Sequence, residues 1–543
     1  MCIRDRAHPA QRRWYPIAFA AALLVLMPLL VLLASWHEVD RQIWSHLWQT
    51  QLARLIGNTL TLVLGVGVGV TLLGVSLAWL TSLCEFPGRR WLDWGLMLPF
   101  AIPAYVLAFV FVGLLDFSGP VQTLLREWLG SGVRFPRVRS TTGVIIVLVL
   151  VFYPYVYLLA RNAFLAQGKG LTEAARTLGL SPLQAFWRVA LPMARPAIGA
   201  GLALALMETL ADFGAVSVFN FDTFTTAIYK TWYGFYSLGS AAQLACLLLF
   251  AVMLVLYGER RARGAVRPAA ERARSGALYR LSGWRALAAS AWCLLVFACA
   301  FVIPVLQLVV WCWQRGRFDL DERYLALIQH TLYLGVAAAL ITVTVALLLA
   351  FARRMAPTRL MGATVGLANL GYALPGSMLA VAIMLAFSML DNGLVIPLST
   401  WLGGAGKALL LGSLGALLLA YLIRFLAVAY GPLENSLARI RPSLPQASRS
   451  LGVSGVPLFL RVYLPLLMPG ALSAALLVFV DVLKEMPATL LMRPFGWDTL
   501  AVRIFEMTSE GEWARAALPA LTLVLVGLVP VIVLIRRSAQ RIG

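Results

Sequence analysis

Glu208 and Asp212 stand four residues apart in LALALMETLADFGA (202–215), a stretch with no other charge. On a helix that spacing stacks both carboxylates on one face. Paired acids there can take up a proton, attract a cation or present hard oxygens to a metal ion. In a bilayer each one costs at least roughly 2.5–3.5 kcal/mol, so a functional reading is the default. A second pair, Asp481 and Glu485, lies 273 residues further on, with Lys484 beside it as a neutralising charge. Both pairs follow equivalent prolines, Pro196 and Pro469, by 12 and 16 residues. That is roughly 18 and 24 Å along a helix. Two roles stay open. The acids line a path or gate, brought to a shared axis by pseudo-twofold packing, or they cap broken helices and hold a bundle together. Breaks are suggested at Gly214 and Pro487.

The elements that carry these residues are membrane spans. Of 543 residues 61% are hydrophobic and 13% charged, a membrane composition. Apolar windows of spanning length fall near 14–36, 55–83, 94–115, 141–160, 196–220 and 236–257. A second six fall near 286–312, 326–352, 363–390, 408–428, 468–490 and 514–535. The expected fold is an all-α polytopic membrane protein of about 12 transmembrane helices. The first window is too long for a signal-peptide core and reads as a retained span, whereas Met1–Arg6 is unlike the rest of the chain, and the sequence leaves open whether it is the native start.

The net charge of +21 would suit nucleic acid, but its distribution argues for a membrane. With the N-terminus inside, inner loops carry 30 Lys and Arg against 13 in the outer loops, and acids run 6 against 13. This is the positive-inside pattern, with both termini cytoplasmic and no nucleic-acid partner.

The chain is also duplicated. NTLTL (58–62) returns as HTLYL (330–334), and LPFAIPAYVLA (98–108) as LGYALPGSMLA (370–380). EAARTLGLSPLQAFWRVALP (173–192) returns as QASRSLGVSGVPLFLRVYLP (446–465), with 10 of 20 positions identical. Residues 1–257 and 286–543 thus form two parallel six-helix repeats about an axis along the membrane normal. An Arg- and Ala-rich cytoplasmic linker, 258–285, joins them.

The loops at about 161–195 and 429–469 are amphipathic and fall on the inner side. Thr172 is expected to cap a short helix, Gly179 to end it in a left-handed conformation, and Ser181 with Pro182 to start a second. Pro192 and Pro196 are expected to stop that one. The second copy repeats the pattern through Ser443, Gln446, Gly452, Ser454 and Pro465. A lone amphipathic loop of this kind would rest on lipid headgroups; a matched pair reads as a docking surface.

These residues resemble the EAA loop of ABC-importer permeases, the coupling element that docks on an ATPase. Glu173, Ala174, Ala175 and Gly179 match the pattern. In the second copy Ala447 and Gly452 match, while Gln446 and Ser448 replace Glu and Ala. Together with the blocks 208–233 and 484–511 the whole chain is similar to the fused two-domain ferric iron permeases; related branches import thiamine, phosphonates, polyamines or sulfate. The resemblance implies the type I importer fold, two copies of a cytoplasmic ATPase and a periplasmic or lipid-anchored binding protein. It also implies Fe3+ as substrate and a bacterial inner membrane location. The binding protein would meet outer-loop residues such as Asp222, Lys230, Asp498, Arg503, Glu506, Glu510 and Glu512, whose alternative role is ordinary solvation.

No ATP-binding loop is legible: WLGGAGKAL (401–409) has Trp401 for the first Gly and Ala408 for Ser or Thr. The histidines His8, His37, His46 and His330 are scattered, and the six cysteines form no CxxC pair. No catalytic, cofactor or metal site is assigned, and ATP would be used by the partner subunit. The contrasting class is an ion-driven secondary transporter with parallel repeats, working through Glu208 and Asp212.

Overall fold

The computed structural model describes residues 12–130, 135–177, 179–263, 279–315, 320–403, 406–453 and 455–539. Among the described residues twelve helices are long and apolar enough to cross a membrane, from Tyr15–His37 to Trp513–Val533, and each overlaps one predicted window. Helices satisfy every backbone donor and acceptor within the segment, as hydrocarbon requires.

Two windows contain a break that hydropathy hides. The helix Arg89–Gly95 and the 3-10 turn Leu98–Ala101 precede Ile102, whose backbone is extended at ψ 120; a new helix then runs Ala104–Leu115. The second copy has Arg359–Ala368, the 3-10 turn Asn369–Ala373, extended Leu374 at ψ 121, then Gly376–Leu390. In each case a proline follows the extended residue, and its ring excludes the helical conformation there.

Other prolines stay inside helices by a different device. Wide π turns at Phe186–Ala190, Ala298–Val302, Asp391–Val395 and Phe459–Tyr463 each end two residues before a proline: Pro192, Pro304, Pro397 and Pro465. In an α-helix the proline ring would strike the carbonyl four residues back, in the middle of each turn. One extra residue opens the turn. Thus the Leu191 N–H bonds to the carbonyl of Phe186, and that of Leu464 to Phe459. Pro192 therefore does not stop the helix, which continues as Leu191–Ala211 with Pro196 inside it, so neither proline ends the segment as expected.

Small residues let helices meet closely where lipid offers no hydrophobic drive. At Gly74, on Leu52–Leu83, an added Cβ would sit 2.9 Å from the Tyr157 backbone nitrogen. The chain forms two compact units that interleave the sequence halves. One gathers Asp321–Val502 with the first span and Thr231–Cys246. The other gathers Gln42–Lys230 with the seventh span, Trp284–Arg315, and the twelfth, Trp513–Val533. The first span thus packs with second-half helices and the seventh with first-half helices, so division by repeat and division by packing differ.

Candidate functional site: broken helices and paired loops

The helix carrying Glu208 ends at Ala211, and Asp212 is already extended, at ψ 127. Likewise Leu464–Lys484 contains Asp481 and ends before Glu485, at ψ 108. The expected stacking of each acid pair on one helical face is therefore corrected: the second acid of each pair lies past the helix end. Its carboxylate caps the short helix that follows, satisfying an N–H with no partner of its own. Val216 N–H donates to Asp212 Oδ1 at 3.0 Å, at the start of Gly214–Val218. Ala488 N–H donates to Glu485 Oε1 at 3.1 Å, at the start of Pro487–Met492. The carbonyls at both breaks accept threonine hydroxyls, Thr225 on Asp212 at 2.6 Å and Thr489 on Glu485 at 2.7 Å. Gly214 and Pro487 mark real breaks.

The copies differ in charge. Glu485 is 5% exposed and pairs with Arg424, Nε to Oε2 at 3.3 Å, whose side chain is 11% exposed. The sequence offers Lys484 as a charge for Asp481 or Glu485; Glu485 forms an ion pair with Arg424, on Leu414–Arg439. Arg424 lies on the helix Leu414–Arg439 and, although it is one of the 30 inner-side Lys and Arg, the charge asymmetry survives its removal. The only sequence signal was its isolation among apolar residues. Gly376 makes room for this pair: a Cβ there would lie 2.3 Å from both Arg424 Nη1 and Glu485 Oε1. The first half has Ala104 at that position and Val151 for Arg424. Glu208, Asp481 and Lys484 are all half-buried, in the last turns of their helices.

The EAA-like segments are built unequally. In the first half the helix Thr141–Thr177 runs unbroken through Thr172, Glu173, Ala174 and Ala175, so the separate helix expected to start at Thr172 is absent. The side chains of those residues lie outside the described set. In the second half Leu414–Arg439 ends before Pro442, and Ser443–Ser450, carrying Gln446 and Ala447, is a separate helix. Gly179 and Gly452 both adopt the left-handed conformation, φ 83 and 80, which favours glycine. Ser181 and Gln184 cap the next helix reciprocally: Gln184 N–H donates to Ser181 Oγ at 3.3 Å and Ser181 N–H to Gln184 Oε1 at 3.0 Å. Ser454 lies outside the described residues.

Each EAA-like segment follows a helix tied down by an ion pair of opposite polarity. Arg161 grips Asp93 with two nitrogens, at 2.5 and 2.6 Å, and the Tyr157 hydroxyl donates to the Asp93 carbonyl at 2.9 Å. At the equivalent places Tyr430 donates to Glu434 at 3.2 Å, and Glu434 meets Arg353 at 3.4 Å.

The acids expected in outer loops are engaged locally. Asp222 meets Arg54 at 2.8 Å and Lys230 at 2.6 Å, Asp498 pairs with Arg493, Arg503 with Glu506 and Glu512 with Arg515. Glu510 borders a cleft of about 400 Å³ with Arg139, Asn220 and Trp513. The amide nitrogen of Asn58 donates to the Asp222 carbonyl at 2.9 Å. Its counterpart His330 meets the Asp498 carbonyl at 3.3 Å and stacks on Trp497 at 4.5 Å. Sequence reasoning missed this pairing, although the aligned NTLTL and HTLYL hold it. Among the described residues no three His, Cys, Asp or Glu gather closely enough to hold a metal ion.

Residues 70–258 match the family described as the binding-protein-dependent transport system inner membrane component. The chain is 27% identical over 505 residues to the Fe(3+)-transport system permease protein FbpB 2 of Haemophilus influenzae, covering 90% of each. It is 29% identical over 195 residues to the sulfate transport system permease protein CysT of Escherichia coli, 36% of this chain and 69% of that one. With the molybdenum transport system permease protein ModB of Escherichia coli it shares 29% over 172 residues, 32% of this chain and 71% of that one. Twelve spanning helices in two copies, with this domain in the first, make the chain a membrane permease of a binding-protein-dependent ABC transporter.

Proposed function

We propose that this permease imports ferric iron, with two copies of a cytoplasmic ATPase driving it and an external binding protein delivering the ion. The observation carrying the substrate is the likeness to the Haemophilus iron permease over nine-tenths of both chains. The sulfate and molybdenum permeases match about a third of this chain. The Lys and Arg excess supports cytoplasmic termini and puts both EAA-like loops on the ATPase side. Residues 1–257 and 286–543 act as two copies of one six-helix unit. Glu173, Ala174, Ala175 and Gly179, with Gln446, Ala447 and Gly452, form the two ATPase-docking loops. Glu208, Asp212, Asp481, Lys484 and Glu485 are the candidate residues of the translocation path or gate, with Asp212 and Glu485 at the helix breaks. Iron is cargo here, and a path must release it.

The test is uptake into proteoliposomes holding the permease with its ATPase, ATP inside and iron-loaded binding protein outside. Uptake should require ATP and cease in Glu208→Gln/Asp481→Asn, with docking of the binding protein intact. Uptake that survives ATP depletion under an ion gradient would establish a secondary transporter. Normal uptake by the folded double variant would make these acids scaffold.

A further inference from the structure

Each EAA-like loop is clasped by an aromatic cluster that includes the segment leading into an exchanged helix. In one unit Trp79, near the end of Leu52–Leu83, meets Phe186 at 4.5 Å and Tyr279 at 5.8 Å. Phe186 opens the π turn of the first loop. Tyr279 is pinned by parallel pairing with Cys84, and the Leu281 N–H donates to the Glu85 carbonyl at 3.0 Å. The Ser290 hydroxyl, on the seventh span, donates to the Pro87 carbonyl at 2.8 Å.

The other unit repeats the arrangement with different residues. Phe351 replaces Trp79 and meets Phe459, which opens the π turn of the second loop, at 5.3 Å. Trp14, just before the first span, stacks on Phe351 at 6.5 Å. The neighbouring Tyr15 hydroxyl bonds to Thr358 Oγ1 at 2.7 Å. Trp14 and Tyr279 are not at equivalent positions of the repeat, yet each precedes the helix that packs with the opposite half. Rings in such contact resist separation and pass displacement between the elements that carry them.

We infer that Trp79–Phe186–Tyr279 and Phe351–Phe459–Trp14 are transmission joints. Each carries the movement of one EAA-like loop into its own core helix and into the exchanged span that starts beside it. Every loop thereby moves helices from both sequence halves. Tyr279 and Trp14 are positioning residues: they lie outside the loops and act through them. This rests on the reading of those loops as ATPase-docking elements.

The test uses the full complex of permease, ATPase and binding protein in nanodiscs. Tyr279→Ala and Trp14→Ala should leave ATPase assembly and basal hydrolysis unchanged. Stimulation of hydrolysis by the loaded binding protein should fall roughly 2- to 10-fold, the range of one aromatic contact. Transport per ATP should fall with it. Tyr279→Phe and Trp14→Phe, which keep a ring, should restore both. Unchanged stimulation in the alanine variants overturns the inference, as does a loss that the phenylalanine variants share. Failure of the wild-type permease to retain the ATPase would overturn the docking-loop reading itself, and is seen separately by co-purification.

Discussion

The helix breaks at Asp212 and Glu485 perform one task under different solvation. Asp212 is half-buried, and the Val216 N–H donates to its carboxylate. Glu485 is one methylene longer and 5% exposed, beyond what backbone donors alone can compensate. A buried carboxylate needs a cation, and Arg424 supplies it. The cation in turn requires space, which Gly376 leaves and Ala104 in the first half would fill. Gly376, Arg424 and Glu485 thus form one linked set in the second copy, and it can be broken from either end.

The sharpest break is at Arg424. Arg424→Met should leave Glu485 buried without its cation and destabilise the protein by about 3–5 kcal/mol. Arg424→Met/Glu485→Gln should recover most of this, because glutamine still offers the Ala488 N–H an acceptor. Thermal unfolding in detergent measures both. A double variant as unstable as the single would show that the ion pair does not dominate this break. Gly376→Ala should be less harmful on the double background than on the wild type, because Arg424→Met removes one of the two atoms that the added methyl would meet while the side chain at 485 still crowds it.

The anchors beneath the loops give a smaller contrast. Arg161 and Asp93 are largely shielded, with side chains 15% and 27% exposed, and joined by two short charge-assisted bonds. Arg353 and Glu434 are about half exposed, at 46% and 48%, and meet only at 3.4 Å. Asp93→Asn should cost about 1.5–3 kcal/mol, whereas Glu434→Gln should cost no more than about 1 kcal/mol. High salt should widen the gap slightly, since it screens the half-exposed pair more than the shielded one. Equal losses in the two variants would mean that exposure does not set the strength of these anchors. The first loop also continues an unbroken helix, whereas the second is jointed before Pro442. The first loop is the stiffer lever on both counts.

Much of this organisation was visible in the residue order. Hydropathy located the twelve spans because hydrocarbon admits few alternatives. Gly214 and Pro487 marked the breaks, and Gly179 and Ser181 marked the turn in the first loop, since each is a local conformational demand. Two kinds of fact were hidden. The π turns were invisible because a proline announces a conflict without saying whether the helix ends or widens. The partners of Glu485 and Asp93 were invisible because Arg424 and Arg161 reach them from other helices, and only packing decides that. Exchange of the first and seventh spans between units leaves no mark on hydropathy, which treats every lipid-facing helix alike.

The smallest effect belongs to His330, and it tests the repeat most directly. Asn58 and His330 hold the same carbonyl in the two copies, that of Asp222 and that of Asp498. If that is the role of the histidine, His330→Asn should lower stability by no more than about 1.5 kcal/mol. The asparagine amide replaces the hydrogen bond, and only the stacking on Trp497, worth about 0.5–1.5 kcal/mol, is lost. His330→Leu should lose the hydrogen bond as well, leaving the Asp498 carbonyl short of a donor, and cost about 1–3 kcal/mol. Uptake should follow stability in both variants. A fall in uptake by His330→Asn with stability intact would give the ring a role that Asn58 does not share, and would break the equivalence of the two outer corners.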